Sequence, residues 1–282
     1  MIKLACMSWV YANVSFEQAL QRIAQAGYRY VSFGLPHEGK PAFDDSLQGE
    51  ADRILRLLDR HGLQPLTLVS TDSLAPDQPL ALALNRMEFA KALGVQELLS
   101  LGTWGYHQFP NEPRSGEEMK IVNDAFDEKF RLLGEEAGKR GLMISIKPHT
   151  GNTATGQVIA ETLHRIGSPF VKACYDPGNV RFYEGIEPKE DVSAIAGQTI
   201  SFVAKEHKGA QFESNFPIPG QGEVDFPAQF SILKAAGFDG PVIVERIDGQ
   251  GESLTVEAFD ERNAHARANL EAMLAEVGLD VS

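Results

Sequence analysis

Short apolar runs alternate with amphipathic stretches from one end of the chain to the other. The runs at 2–7, 30–33, 64–69, 97–101, 142–146, 171–175, 199–204 and 241–244 read as strands. They are close to continuously apolar, as strands are when helices cover both faces of a parallel sheet. Between them the apolar spacing becomes helical. Phe16, Ala19, Leu20, Ile23 and Ala24 follow a Ser15 cap and stop at Gly27. Ile54, Leu55, Leu57 and Leu58 fall in a helix predicted over 46–61 and stopped by Gly62. Further helices are predicted from Pro79 to Gly94, over 117–140 and 156–166, briefly after Pro188, and over 227–236 and 255–277.

Eight strand–helix units of about 35 residues each suit a βα repeat closed into a barrel better than an open doubly wound sheet. The expected fold is α/β, a (β/α)8 TIM barrel. No Ser/Gly-rich linker interrupts it, so residues 1–282 are taken as one domain. With 43% hydrophobic and 23% charged residues, the chain is neither disordered nor fibrous. Its net charge of −13 makes nucleic acid and anionic membranes poor partners. Cys6 and Cys174 sit in apolar runs and read as buried, reduced thiols of a cytoplasmic protein. The N-terminal apolar run is too short for a signal peptide, and no run approaches a membrane span. Homo-oligomerisation is left open.

In such a barrel the reactive groups stand at the carboxyl ends of the strands. Strand five offers Lys147 and His149; strand six, Asp176 and Asn179; strand seven, Lys205, Glu206 and His207; strand eight, Glu245 and Arg246. The loop after strand four adds Trp104, Tyr106 and His107, strand one Ser8 and Trp9, and strand two His37 and Glu38. Any one of them reads equally well as a solvated loop residue. Ionisable groups at four consecutive strand ends, which the closed barrel sets side by side, point instead to one mouth. No P-loop, dinucleotide-binding glycine motif or H-E-x-x-H is present.

The strand ends KPHTG (147–151), YDPGNVRFYEG (175–185) and VIVER (242–246), with the loop PIPGQGEVDF (217–226), resemble the xylose-isomerase-like barrel superfamily of sugar and sugar-phosphate isomerases and epimerases. The resemblance runs through the whole chain. It implies a small carbohydrate substrate and a divalent ion (manganese, magnesium, cobalt or zinc) held by Glu, Asp, His and Glu after strands five to eight. Carried across, the Asp falls on Asp176 and the last Glu on Glu245. The first Glu position is Lys147, and aligning the family's H-x-K-D puts Val203 at the His position, leaving His207 to reach the mouth from two residues beyond Lys205.

An ammonium cannot ligate a metal, and at an effective dielectric of ~20 its repulsion of a dication a few ångströms away costs several kcal/mol. Two arrangements follow. Asp176, Glu245 and His207 hold a weakened metal while Lys147 turns away, or Lys147 and Lys205 replace the metal, pair with Asp176 and Glu245, and polarise a substrate carbonyl themselves. Lys147–Asp176 as a purely structural rim pair is the third reading. Either of the first two supports proton abstraction beside a carbonyl through an enediolate. Glu245 is the expected base, Lys147, Lys205 or a metal the electrophile, and His149 a proton shuttle or hydroxyl partner. Trp104, His107, Asn179, Arg246 and Glu206 are the expected substrate contacts. Phe182 and Tyr183 are expected as a lid or as the core of their loop. A lyase or dehydratase acting on a keto-sugar or cyclitol, an abasic-site endonuclease and a non-catalytic sugar-binding barrel are the rivals. The charge of −13 and Lys147 argue against the endonuclease.

Overall fold

The computed structural model describes residues 1–282. Eight parallel strands close into a barrel: β1 Leu4–Met7, β2 Tyr30–Phe33, β3 Gln64–Val69, β4 Glu97–Leu101, β5 Met143–Lys147, β6 Val171–Tyr175, β7 Thr199–Val203 and β8 Val242–Val244. Each pairs with its sequence neighbours, and β8 closes on β1 through Leu4–Val242 and Cys6–Val244. The helices are α1 Phe16–Gln25, α2 Glu50–Arg60, α3 Leu80–Ala92, α4 Gly116–Lys139, α5 Gly156–Ile166, the short α6 Pro188–Asp191, α7 Phe226–Ala235 and α8 Val256–Glu276. Local sequence sets their starts. Ser15 with Gln18 and Ser115 with Glu118 form capping boxes, and Thr155, Asp225 and Thr255 each accept a first-turn N–H. No helix is long and apolar enough to cross a membrane.

Helix α2 begins four residues later than its apolar pattern suggests. Asp44 Oδ1 accepts both the backbone N–H and the hydroxyl of Ser46, and Gly49 sits at φ 82°, a turn that a helix cannot run through. The long loop after β4 folds into a short hairpin, Tyr106–Gln108 against Glu112–Pro113. Strands so short carry no periodic signal.

The strand pleat separates two cores. Side chains facing outward, such as Phe33, Leu68, Ile144, Phe202 and Val244, pack under the helices. Ala5, Met7, Val69, Leu99, Cys174, Val203 and Ile243 fill the barrel interior. Below them Glu97 is buried, its Oε1 accepting from the hydroxyls of Ser145 and Ser201 at 2.5 Å each. Burial pushes the Glu97 carboxyl above its ordinary range. Because side chains alternate with a period of two, residues two beyond the interior set stand at the top of the same interior column. Those residues are Lys147 above Ser145, Asp176 above Cys174, Lys205 above Val203 and Glu245 above Ile243.

Candidate active site

The four column tops meet in a closed charge square. Lys147 Nζ lies 2.8 Å from Asp176 Oδ2 and 2.5 Å from Glu245 Oε2. Lys205 Nζ lies 3.1 Å from Asp176 Oδ2 and 2.8 Å from Glu245 Oε1. All four side chains are buried. Burial opposes the charge on Lys147, but Asp176 and Glu245 outweigh it and hold the ammonium above the usual lysine range. Burial would raise the Glu245 carboxyl, yet Lys147 and Lys205 override it and bring it down to about 2.

The backbone holds this square in place. Asp176 caps the turn after β6, its Oδ1 accepting the Asn179 N–H at 2.9 Å. Asn179 receives Lys205 Nζ on its side-chain oxygen at 2.9 Å and donates its amide to the Pro148 carbonyl at 2.7 Å, tying the ends of β5, β6 and β7 together. Gly178 lies against Lys205: a Cβ there would come within 2.6 Å of Lys205 Cγ and 2.7 Å of its carbonyl oxygen.

A cavity of ≈ 180 Å³ opens above the square. Lys147, His149, Asn179, Lys205, Glu245 and Arg246 give it polar walls, with Trp9, Phe182, Tyr183 and Phe216 as aromatic ones. Asp176 has no exposed surface, so Glu245 is the carboxylate of the square that faces the cavity. Burial and then the two lysines push His149 down to about 3, so it is neutral near pH 7. Its Nε2 shares a 2.8 Å hydrogen bond with the Tyr183 hydroxyl, which burial raises to about 12. Trp104 reaches this region indirectly, packing on His149 at 5.1 Å between ring centroids. Arg246 lies 4.0 Å over the Phe216 ring, and Asp248 accepts from its Nε and one Nη at 2.7 and 3.1 Å.

Three expected residues fall elsewhere. His107 sits on the outer hairpin, half-exposed, with Nε2 3.0 Å from Glu118. Glu206 is fully buried outside the cavity. Its Oε1 accepts the N–H groups of His207 and Val224 and its Oε2 that of Gly220, at 2.9–3.0 Å, so it anchors the loop after β7. Gly222 permits this: a Cβ there would meet Glu206 Cδ at 2.5 Å. Strand parity explains the miss, because Glu206 continues the outward column of Phe202 and Ala204. His207 is turned away, with Nε2 donating to the Glu213 carbonyl at 2.8 Å and its ring against Phe182 and Phe216.

A divalent ion does not fit these residues. Every carboxylate oxygen of Asp176 and Glu245 already accepts from Lys147, Lys205 or the Asn179 N–H. His207 is not beside them, and no three His, Cys, Asp or Glu side chains converge as ligands anywhere in the chain. The expected set Asp176–Glu245–His207 is therefore corrected: two ammonium groups stand between the carboxylates where a dication would have to sit.

A family profile described as a xylose isomerase-like TIM barrel matches residues 20–275. The chain belongs to that family. Within it, the chain is 26% identical over 215 residues to L-ribulose-5-phosphate 3-epimerase UlaE of Salmonella paratyphi C (strain RKS4594), covering 75% of this chain and 69% of the relative. The Escherichia coli protein of the same name is 24% identical over 212 residues, with the same coverage. Among solved structures, D-psicose 3-epimerase from Clostridium cellulolyticum H10 superposes with a TM-score of 0.76 at 11% identity, covering 97% of this chain and 99% of that one. A xylose isomerase domain protein from Alicyclobacillus acidocaldarius gives 0.73 at 16% identity, covering 98% and 99%. At those identities the two structures speak for the barrel.

Proposed function

We propose that this chain is a carbohydrate isomerase or epimerase that removes a proton beside a carbonyl and uses two lysines where metal-dependent enzymes place a dication. The observation that carries this reading is the Lys147–Asp176–Lys205–Glu245 square at the floor of the family's active-site position. The named relatives are epimerases, which favours this chemistry over the lyase alternative.

The substrate carbonyl oxygen rests against the ammonium groups of Lys147 and Lys205, both on the cavity wall. Glu245 is the base, although with both oxygens clamped it is a poor one. As negative charge grows on the substrate oxygen it draws the ammonium groups off the carboxylate. Glu245 then gains basicity in step with enediolate formation, so electrophile and base act together. Tyr183 donates its hydroxyl to Nε2 of His149, leaving the proton on Nδ1, and the neutral imidazole serves as hydrogen-bond donor to a second substrate oxygen.

Return of the proton by Glu245 to the former carbonyl carbon, with the hydroxyl proton passing to the former carbonyl oxygen, completes an isomerisation. Epimerisation returns a proton to the carbon that lost it, from the opposite face. With Lys147 in place of the strand-five Glu, the donor there is one of Lys147, Lys205, His149 or Tyr183. Incubation with a panel of ketopentoses and ketohexoses in D2O, followed by NMR, tests the reading. Deuterium should enter the carbon next to the carbonyl, and Glu245→Gln should abolish it. Exchange that survives in Glu245→Gln would remove Glu245 as the base.

A further inference from the structure

Beside the mouth lies a second chamber of ≈ 340 Å³, nearly twice the mouth cavity, and Trp9, Glu245 and Arg246 line both. Small-molecule sites usually offer roughly 300–1,000 Å³. The mouth cavity alone is below that range and reaches it only together with its neighbour. The second chamber also has a definite chemistry. Its cations are taken: Arg246 by both Asp248 oxygens, and Arg262, outside the lining, by Glu252 at 2.7 Å. The carboxylates of Asp248 and Glu252 on its wall are paired with these guanidinium groups, so it holds out no free positive charge to a phosphate.

What it offers instead is uncharged. Trp9, 37% exposed, presents an indole whose N–H has no partner in the protein. The side chains of Asn13 and Ser253 are exposed and likewise make no protein hydrogen bond. An open aromatic face suits the C–H face of a pyranose, and an amide, a hydroxyl and an indole N–H suit its hydroxyl groups.

We propose that this chamber is a subsite for a second, uncharged sugar ring, so that the substrate is a glycoside or disaccharide whose keto end enters the mouth. The inference rests on the carbohydrate reading above and adds the class of substrate. A phosphorylated monosaccharide finds no free cation there, and a free monosaccharide leaves the larger chamber unused.

The test compares matched ketoses: several free ketohexoses, their 6-phosphates, and disaccharides such as maltulose and isomaltulose that carry a glucosyl group on a ketohexose. Dissociation constants come from saturation-transfer NMR, and exchange of the C–H beside the carbonyl is followed in D2O. The best disaccharide should bind about tenfold or more tightly than its parent ketose. Ser253→Trp, at an exposed position, fills the chamber and should bring that ratio to about one; Asn13→Ala should lower it less. Disaccharides no tighter than their parents, a 6-phosphate that binds tightest, or a ratio unmoved by Ser253→Trp overturns the subsite. Tight disaccharide binding without C–H exchange keeps the subsite and overturns the reaction. Exchange of free ketoses with disaccharides excluded does the reverse, and failure to bind any sugar overturns both.

Discussion

The Tyr183 hydroxyl and His149 Nε2 share a hydrogen bond of 2.8 Å, and neither group is charged near neutrality. The pair fixes which imidazole nitrogen keeps the proton, while His149 Nδ1 makes no bond to the protein. Tyr183→Phe removes that instruction without emptying the site. The expected loss is roughly tenfold in kcat, a modest share of a general acid–base contribution. Nitrogen-15 NMR of the imidazole should show Nδ1–H in the parent and a tautomer mixture in the variant. An unmixed Nδ1–H signal in Tyr183→Phe would show that the tyrosine does not set the tautomer.

The square has a definite acid response. Glu245 has a folded value near 2 against an ordinary value of 4.5. Its contribution to stability is therefore complete above about 4.5 and is lost as pH falls through about 2. Urea midpoints should drop across that window in the parent and more shallowly in Glu245→Gln. His149, lowered from 6.5 to about 3, should produce no inflection near 6.5 in kcat/KM. An inflection there that Tyr183→Phe shifts would mean the imidazole titrates in the working range.

Breaking the square one charge at a time should be costly. Lys147→Met leaves buried carboxylates short of a partner, and removing one member of a buried pair typically costs about 3–5 kcal/mol. Lys147→Met with Glu245→Gln removes one charge of each sign, so its denaturation free energy should fall by less than the sum of the single changes. Strict additivity would mean that the two groups do not interact.

Metal response separates this centre from carboxylate-rich ones. Chelator treatment should leave the melting temperature and C–H exchange unchanged, and manganese should not raise the melting temperature. Lys147→Glu combined with Lys205→Met brings a third carboxylate to the square and removes both ammonium groups. That variant should melt higher with manganese, because an ion that binds only the folded form stabilises it. A manganese shift in the parent protein would contradict the donor count at Asp176 and Glu245.

Glu206 marks the line between structure and chemistry. Glu206→Ala leaves the N–H groups of His207, Gly220 and Val224 without their acceptor. Several kcal/mol of stability should be lost, at roughly 1–3 kcal/mol per buried unpaired group. Glu206→Gln, which keeps an acceptor oxygen, should recover part of it in thermal melts. Equal losses in both variants would assign the role to the charge instead of the accepted bonds.

The barrel was legible because each strand is a short run apolar on both faces and most helices carry their own caps. The mouth was legible in part. Lys147, Asp176, Lys205 and Glu245 can be placed by position after a strand, and counting in twos from Ser145, Cys174, Val203 and Ile243 selects them. The same count would have set Glu206 aside, since it follows Phe202 and Ala204 on the outer face. His107 and His207 lie farther along irregular loops, where parity ends and backbone turns decide direction. Tyr183, within reach of the sequence only as a lid or loop residue, gained its relation to His149 from the π-helical turn Val180–Glu184, which has no periodic signature. The donors that occupy the carboxylate oxygens and disqualify a metal come from three different strand ends, and spacing along the chain does not reveal them.

Gly178 carries a consequence for how far the two strand ends can drift apart in sequence. A Cβ there would meet the carbonyl oxygen and the Cβ of Lys205 at 2.7 and 2.9 Å, atoms that any residue at that place keeps. A chain with a side chain at the Gly178 position must therefore shift the end of β7 against the turn after β6, and the floor of the mouth moves with it.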